Sequence, residues 1–339
     1  MQFGLFTFGD IGTNPSTNET ITAQQRMNYL IEEAVLAEQV GVDVFGIGEH
    51  HRPDYAVSSP ATVLAAIAAR TSTIRLTSAV TVLSSEDPVR VFQQFATVDL
   101  LSNGRAEIMA GRGSFIESFP LFGYDLDDYD VLFEEKLEML LRLRNSVIVN
   151  WEGKHTQRIS QRGVFPRPVQ QPLPVWIAVG GTPASVVRAA QNGLPLAIAI
   201  IGGQPAHFVP LVNLYKETWT KSGHDAAQME FAINGHSFIA ETSQAARDTF
   251  WPAYAAVMTR IGRERGWPPM TRAQFDAGCA PSGHLLVGSP QEVADKIAYQ
   301  REIFGCTRFA AQMSIGAVPQ QALMKSIELY GTQVIPQFA

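Results

Sequence analysis

Three ionisable side chains in a row, Glu49-His50-His51, follow directly on the apolar run Val42–Gly48. Histidine is the side chain that most readily takes or gives a proton near neutral pH. The carboxyl end of a strand is where βα proteins collect their reactive groups. Alternation along a strand puts His50 on one face with Gly46 and Gly48, and Phe45 and Ile47 on the other. The two glycines would leave room beneath the histidine for a flat ligand. A metal site is not expected, because adjacent side chains on an extended chain diverge and no H-E-x-x-H spacing occurs. The same triplet could also serve as a cap or brace for a loop.

Three further stretches have a composition suited to binding. In Gly111-Arg112-Gly113, glycines let the backbone approach a ligand and the arginine offers a forked grip on phosphate or carboxylate, although a turn with a solvated arginine has the same composition. In Gly180-Gly181-Thr182-Pro183-Ala184-Ser185, Thr182 fits an N-cap and Pro183 a first helical position, so a helix would begin just after two glycines. Such a start presents unpaired N–H groups and the positive end of the dipole, which suits an anion. The third stretch, Ser78 to Ser85, is small and polar and fits a pocket wall or a buried strand. His155, His207, His224 and His236 show no partner in the sequence and are expected on the surface or in loops, and His284 lies in a loop rich in glycine and proline.

The elements that must position these residues alternate regularly. Strands are expected over Gln2–Thr7, Asp43–Gly48, Ile74–Leu83, Arg105–Ala110, Pro174–Val179, Leu194–Ile201, Glu230–Ala240 and Thr307–Met313, separated by helical patterns. Proline opens several of the helices, at Pro60, Pro88 and Pro290. Eight strands alternating with eight main helices, with no repeat or linker, predict one (β/α)8 TIM barrel over residues 1–339 with insertions in the βα loops. An excursion is expected at about 145–173 and a lid-like loop at about 266–288. A doubly wound sheet fits less well, since the first βα turn lacks G-x-G-x-x-G.

Composition narrows the function. With 46% hydrophobic and 17% charged residues, the 339-residue chain can build a large core, and its net charge of −6, without a basic run, gives no reason to expect nucleic acid or a membrane surface as partner. No charged leader and no long apolar run appear, so a soluble cytoplasmic protein with Cys279 and Cys306 as reduced thiols is expected. A small molecule is the expected ligand.

With these residues assembled, the chain resembles the bacterial luciferase-like flavin monooxygenases over nearly its full length. The matching stretches are FGLFTF, GVDVFGIGEHH, IRLTSAVTVLSSEDPVRVFQQFATVDLLSNGR, AGRGSFIESFPLFG, VGGTPASVVRAAQNGLP and VGSPQEVADKI. The resemblance implies an oxidoreductase that takes reduced FMN as a co-substrate from a separate NAD(P)H-dependent flavin reductase. It would use O2, through a C4a-peroxyflavin, to oxidise a small organic substrate. His50 would be the catalytic histidine. Arg112 and the segment Thr182–Ser185, with Gly111, Gly180 and Gly181, would hold the FMN phosphate. Ala79 and Val80 would support the flavin ring, often through a non-proline cis peptide in this family, and a homodimer would form through the helices at Pro60–Arg70 and from Pro88. Where some relatives carry a second phosphate-binding arginine, this chain has Asp127, Asp128 and Asp130, which implies a looser grip on FMN. A deazaflavin-dependent reductase or dehydrogenase of the same superfamily, and a flavin-binding protein without turnover, are the alternatives.

Overall fold

In the computed structural model, which describes residues 1–113 and 115–338, eight parallel strands close into a barrel. They are β1 (Gln2–Thr7), β2 (Val44–Ile47), β3 (Arg75–Ser78), β4 (Ala106–Gly111), β5 (Val175–Val179), β6 (Leu196–Ile200), β7 (Phe231–Ile239) and β8 (Arg308–Ser314). Each pairs with the next in chain order, and β8 pairs with β1 to close the ring. The main helices are α1 (Ala23–Gln39), α2 (Pro60–Ala68), α3 (Pro88–Leu101), α4 (Tyr129–Asn145), α5 (Pro183–Gln191), α6 (Val209–Lys221), α7 (Ser243–Glu264), α8 (Pro290–Phe304) and α9 (Gln320–Leu329).

The strand pattern explains the closure. Residues such as Leu5, Phe45, Ile47, Leu76, Ile108, Ile177, Ile198 and Ile233 pack outward against the helices. Their alternates Phe6, Val44, Ala79, Met109, Trp176, Ala197, Ala232 and Ala310 form a second cluster inside the barrel. Below them, Arg308 lies over the Trp176 ring and donates to Gln2 on β1 and Glu107 on β4, while Arg75 on β3 reaches the same Glu107. This polar floor ties four strands across the barrel's amino-terminal end.

Three expectations need correction. The long third strand, Ile74–Leu83, is two pieces: β3 and a short strand, Thr81–Val82. Between the pairs Thr77 with Glu107 and Thr81 with Ala110 it gains one residue on its neighbour, and the Ala79–Val80 peptide there is cis. Buried side-chain bonds hold the break in place: Ser78 Oγ bonds to the backbone of Met109, and the Val82 N–H donates to Glu49. Second, the excursion carries an antiparallel hairpin, Ile148–Trp151 with Ile159–Gly163. Third, residues 266–288 contain a helix, Arg272–Cys279, and a strand, Leu286–Gly288, that pairs in parallel with the end of β7. Helix α7 runs across the barrel's mouth. Its Arg260 and Glu264 reach Asp54 and Arg52 beyond β2, and a Cβ on Gly316, after β8, would collide with Val257.

Candidate active site

His50 stands one turn of alternation beyond Gly48, at the mouth of the barrel. Its backbone N–H donates to the Val57 carbonyl at 2.9 Å, which fixes the chain as it leaves β2. Three aromatic rings surround the imidazole: Tyr55 at 4.3 Å, Phe8 at 4.5 Å and Phe115 at 5.1 Å between centroids. Nε2 is buried without a hydrogen-bond partner. Burial, with smaller contributions from Arg52 and His51, pushes the His50 pKa down to about 3. The side chain is therefore a neutral imidazole in a nearly dry box, with one ring nitrogen free for a ligand.

The expected space beneath His50 is filled. A Cβ on Gly46 would lie 2.5 Å from the Phe6 ring, and one on Gly48 would overlap the ring of Phe8. The glycines are needed for close packing of two phenylalanines from β1 and its loop, not for a flat ligand. This overturns the role expected for them.

Glu49 and His51 form a brace. The buried Glu49 carboxylate accepts from the Val82 N–H at 2.9 Å and pairs with His51 Nε2 at 2.9 Å. That bond raises the His51 pKa. The pair ties the loop after β2 to the broken third strand, and so fixes the position of Ala79 and Val80. Both lie at the rim, with Ala79 in the inner cluster and Val80 packed where a Cβ on Gly111 would fall.

The two expected anion-binding segments meet. Arg112, after β4, donates from Nη2 to the Thr182 hydroxyl at 3.0 Å, and its other amine pairs with Asp130. Its guanidinium lies over the Tyr129 ring, whose hydroxyl donates to the Gly113 carbonyl at 2.8 Å. Thr182 occupies the N-cap position of α5 with Pro183 next, as the sequence predicts. Its side chain makes no cap, however, and its hydroxyl accepts from Arg112 instead. Gly180 and Gly181 are exposed, and Ser185 is buried in the first turn. An arginine, a hydroxyl and an uncapped helix start thus share one rim of the mouth.

Residues 1–307 match the sequence profile of the luciferase-like monooxygenases. The chain belongs to the luciferase-like monooxygenase family. Among solved structures, this luciferase-like chain is similar to the monooxygenase RslO1 from Streptomyces bottropensis, 26% identical, with a TM-score of 0.86 and all of both chains covered. It is also similar to the oxygenase component of the flavin-dependent trigonelline monooxygenase of Acinetobacter baylyi, 23% identical over 73% of this chain and 67% of that protein. A third relative is the F420-dependent glucose-6-phosphate dehydrogenase of Amycolatopsis mediterranei, 32% identical over 45% of this chain and 47% of that one. The family and the TIM-barrel fold implied by the sequence motifs are thereby established.

In this luciferase-like barrel several mouth residues escape a reading of the sequence. His236, expected at the surface, is buried on β7 with Nδ1 unpartnered. Counting alternate positions from Ala232 along that strand would have turned it inward. Asp10 accepts from the Gly316 N–H at 2.7 Å, and burial pushes its pKa up to about 7. Arg52 pairs with Glu117 and Glu264 and stacks on Phe115 at 4.4 Å, so it joins three segments above His50. No local pattern in the sequence marks that meeting. Among the described residues, no helix is long and apolar enough to cross a membrane.

Proposed function

We propose that the chain is the oxygenase component of a two-component flavin monooxygenase, which binds reduced FMN and uses O2 to oxidise a small organic substrate. The observation that carries this is the contact between Arg112 and Thr182, which joins the β4 and β5 loops into one anion cradle on the same mouth as His50. A phosphate there would accept from Arg112, the Thr182 hydroxyl and the Ala184 N–H at the start of α5, since Pro183 has no N–H and the Ser185 N–H donates to the Thr182 carbonyl. The orphaned Nε2 of His50 and the Ala79–Val80 backbone fit the approach of a flavin ring between β2 and β4. The flavin, when bound, supplies the activation of oxygen.

The chain's own residues bind and orient the cofactor, exclude water and hold a proton. Phe8, Tyr55 and Phe115 keep water from the His50 ring, which suits an oxygen chemistry that water would divert. His50, neutral at working pH, would exchange a hydrogen bond or a proton at Nε2. Asp130 draws on the charge of Arg112, which supports a flavin that comes and goes as a substrate delivered by a separate reductase. The homodimer through α2 and α3 belongs to the same proposal and is supported by Leu100 and Leu101, exposed at the end of α3.

The F420-dependent relative favours a second reading, hydride transfer with a deazaflavin and no oxygen. Anaerobic titration with reduced FMN and with reduced F420, followed by turnover under 18O2, separates the two. Binding of reduced FMN, weakened about 10- to 100-fold in Arg112→Ala, with 18O found in the product, is the expected result. Turnover with reduced F420 and none with FMN and oxygen would reverse the assignment.

A further inference from the structure

The mouth of the barrel divides into two arcs. On the flavin reading, on which this inference rests, β3, β4 and β5 take the ring and phosphate through Ala79, Val80, Gly111, Arg112 and Thr182. In an eight-stranded ring the arc facing them is β7, β8 and β1, and its buried polar side chains of interest lie on β7 and β8. Inward positions on β7 run Ala232, Asn234, His236, and those on β8 run Ala310, Gln312, with Ala232 and Ala310 fixed by the inner cluster. His236 and Gln312 are direct neighbours in the strand register. Both are buried, at 6% and 1% exposure, which places two polar side chains in an otherwise apolar wall.

Neither is satisfied. His236 Nδ1 and Gln312 Nε2 lack any hydrogen-bond partner, while nearby Asn234 is engaged with the Ala310 carbonyl at 3.2 Å. Leaving a buried polar group without a partner is costly, so two on adjacent strands, both at inward positions, point to a ligand that completes them. The ring of Tyr254 on α7 packs edge-on against His236, 5.7 Å between centroids. Charge then selects the ligand. Burial, with His284 adding to it, pushes the His236 pKa down to about 3, so the imidazole is neutral. Two cations reach β8, and both are already paired: Arg26, beside Ser314, with Glu33, and Arg308, in the floor, with Glu107. Among the described residues, the unpartnered groups at these inward positions are uncharged.

We propose that His236 and Gln312 are the substrate-recognition pair of this enzyme, donating to the oxygen of a neutral carbonyl compound and discriminating against carboxylates and sulfonates. An uncharged carbonyl oxygen accepts two N–H bonds without bringing an unbalanced charge into the barrel. An anion of the same length would have no counter-charge there.

Equilibrium binding of 2-hexanone, hexane and hexanoate to the full chain, with and without FMN, tests this. The ketone is expected to bind about tenfold more tightly than either analogue. His236→Phe and Gln312→Leu should each remove about tenfold of that preference while leaving hexane and FMN binding unchanged. A role in packing alone would shift all three probes together. Tighter binding of hexanoate, an intact ketone preference in both variants, or no binding of any probe would overturn the proposal. Ketone preference without FMN binding would defeat the flavin reading alone, and FMN binding without ketone preference would defeat this one alone.

Discussion

A single imidazole in an aromatic box sets the chemical character of the mouth. Burial holds the His50 pKa down at about 3, so the ring is neutral over the working range and presents its unpartnered Nε2 as a hydrogen-bonding group and not a fixed charge. The fixed charge lies at Arg112, shared between Thr182 and Asp130. That sharing makes Asp130 a brake on anion binding. In Asp130→Asn the guanidinium keeps its place over Tyr129 but loses its competing carboxylate, and FMN should bind about 3- to 10-fold more tightly at low salt, the gain shrinking as salt rises. Fluorescence titration of FMN at two ionic strengths measures it, and unchanged affinity would show that Asp130 does not limit the cradle. The arginine was legible as a candidate from its flanking glycines, but its partners were not, since Asp130 and Thr182 come from other loops.

At the scale of elements, the strand ends do the positioning and the first strand fills the space beneath. Phe6 and Phe8 occupy the room left by Gly46 and Gly48, so the β1–β2 contact is a close fit and not a cleft. Gly46→Ala would place a methyl 2.5 Å from the Phe6 ring inside the barrel, and the rigid surroundings allow little relief. A loss of about 1–3 kcal/mol in urea unfolding is expected. Unfolding at the wild-type midpoint would mean that Phe6 can turn away. Strand existence and order were readable from apolar runs punctuated by glycine and proline, which are local signals. The break in the third strand and the path of α7 over the mouth were not, because a pairing slip and a helix direction depend on partners distant in sequence.

For the whole molecule, closure of the ring is what brings six loops to one mouth, and the polar floor helps to hold that closure. Glu107 is buried, yet Arg308 and Arg75 keep its pKa below the ordinary 4.5 against the opposing effect of burial. A carboxylate with a lowered folded pKa contributes stability that is fully present above 4.5 and is lost as pH falls through the folded value. Glu107→Gln leaves Arg308 with an unbalanced buried charge and should cost about 3–5 kcal/mol at neutral pH. The variant should also lose part of the acid-side slope of stability. Thermal and urea unfolding across pH 3 to 8 would show both, and a neutral-pH stability equal to the wild type would remove the floor from any account of closure.

The sequence by itself determined the barrel, the family and the strand-end positions of His50, Arg112 and Thr182, because hydrophobic period, helix starts and ordered motifs are written in neighbouring residues. Only the tertiary structure decided which of those residues touch. The Arg112–Thr182 contact, the filling of Gly46 and Gly48, and the inward pair His236 and Gln312 all depend on which strands lie side by side and in what register once the ring has closed. Strand alternation could have turned His236 inward, but which residues lie beside each other across strands is a long-range matter that no local pattern in the chain encodes.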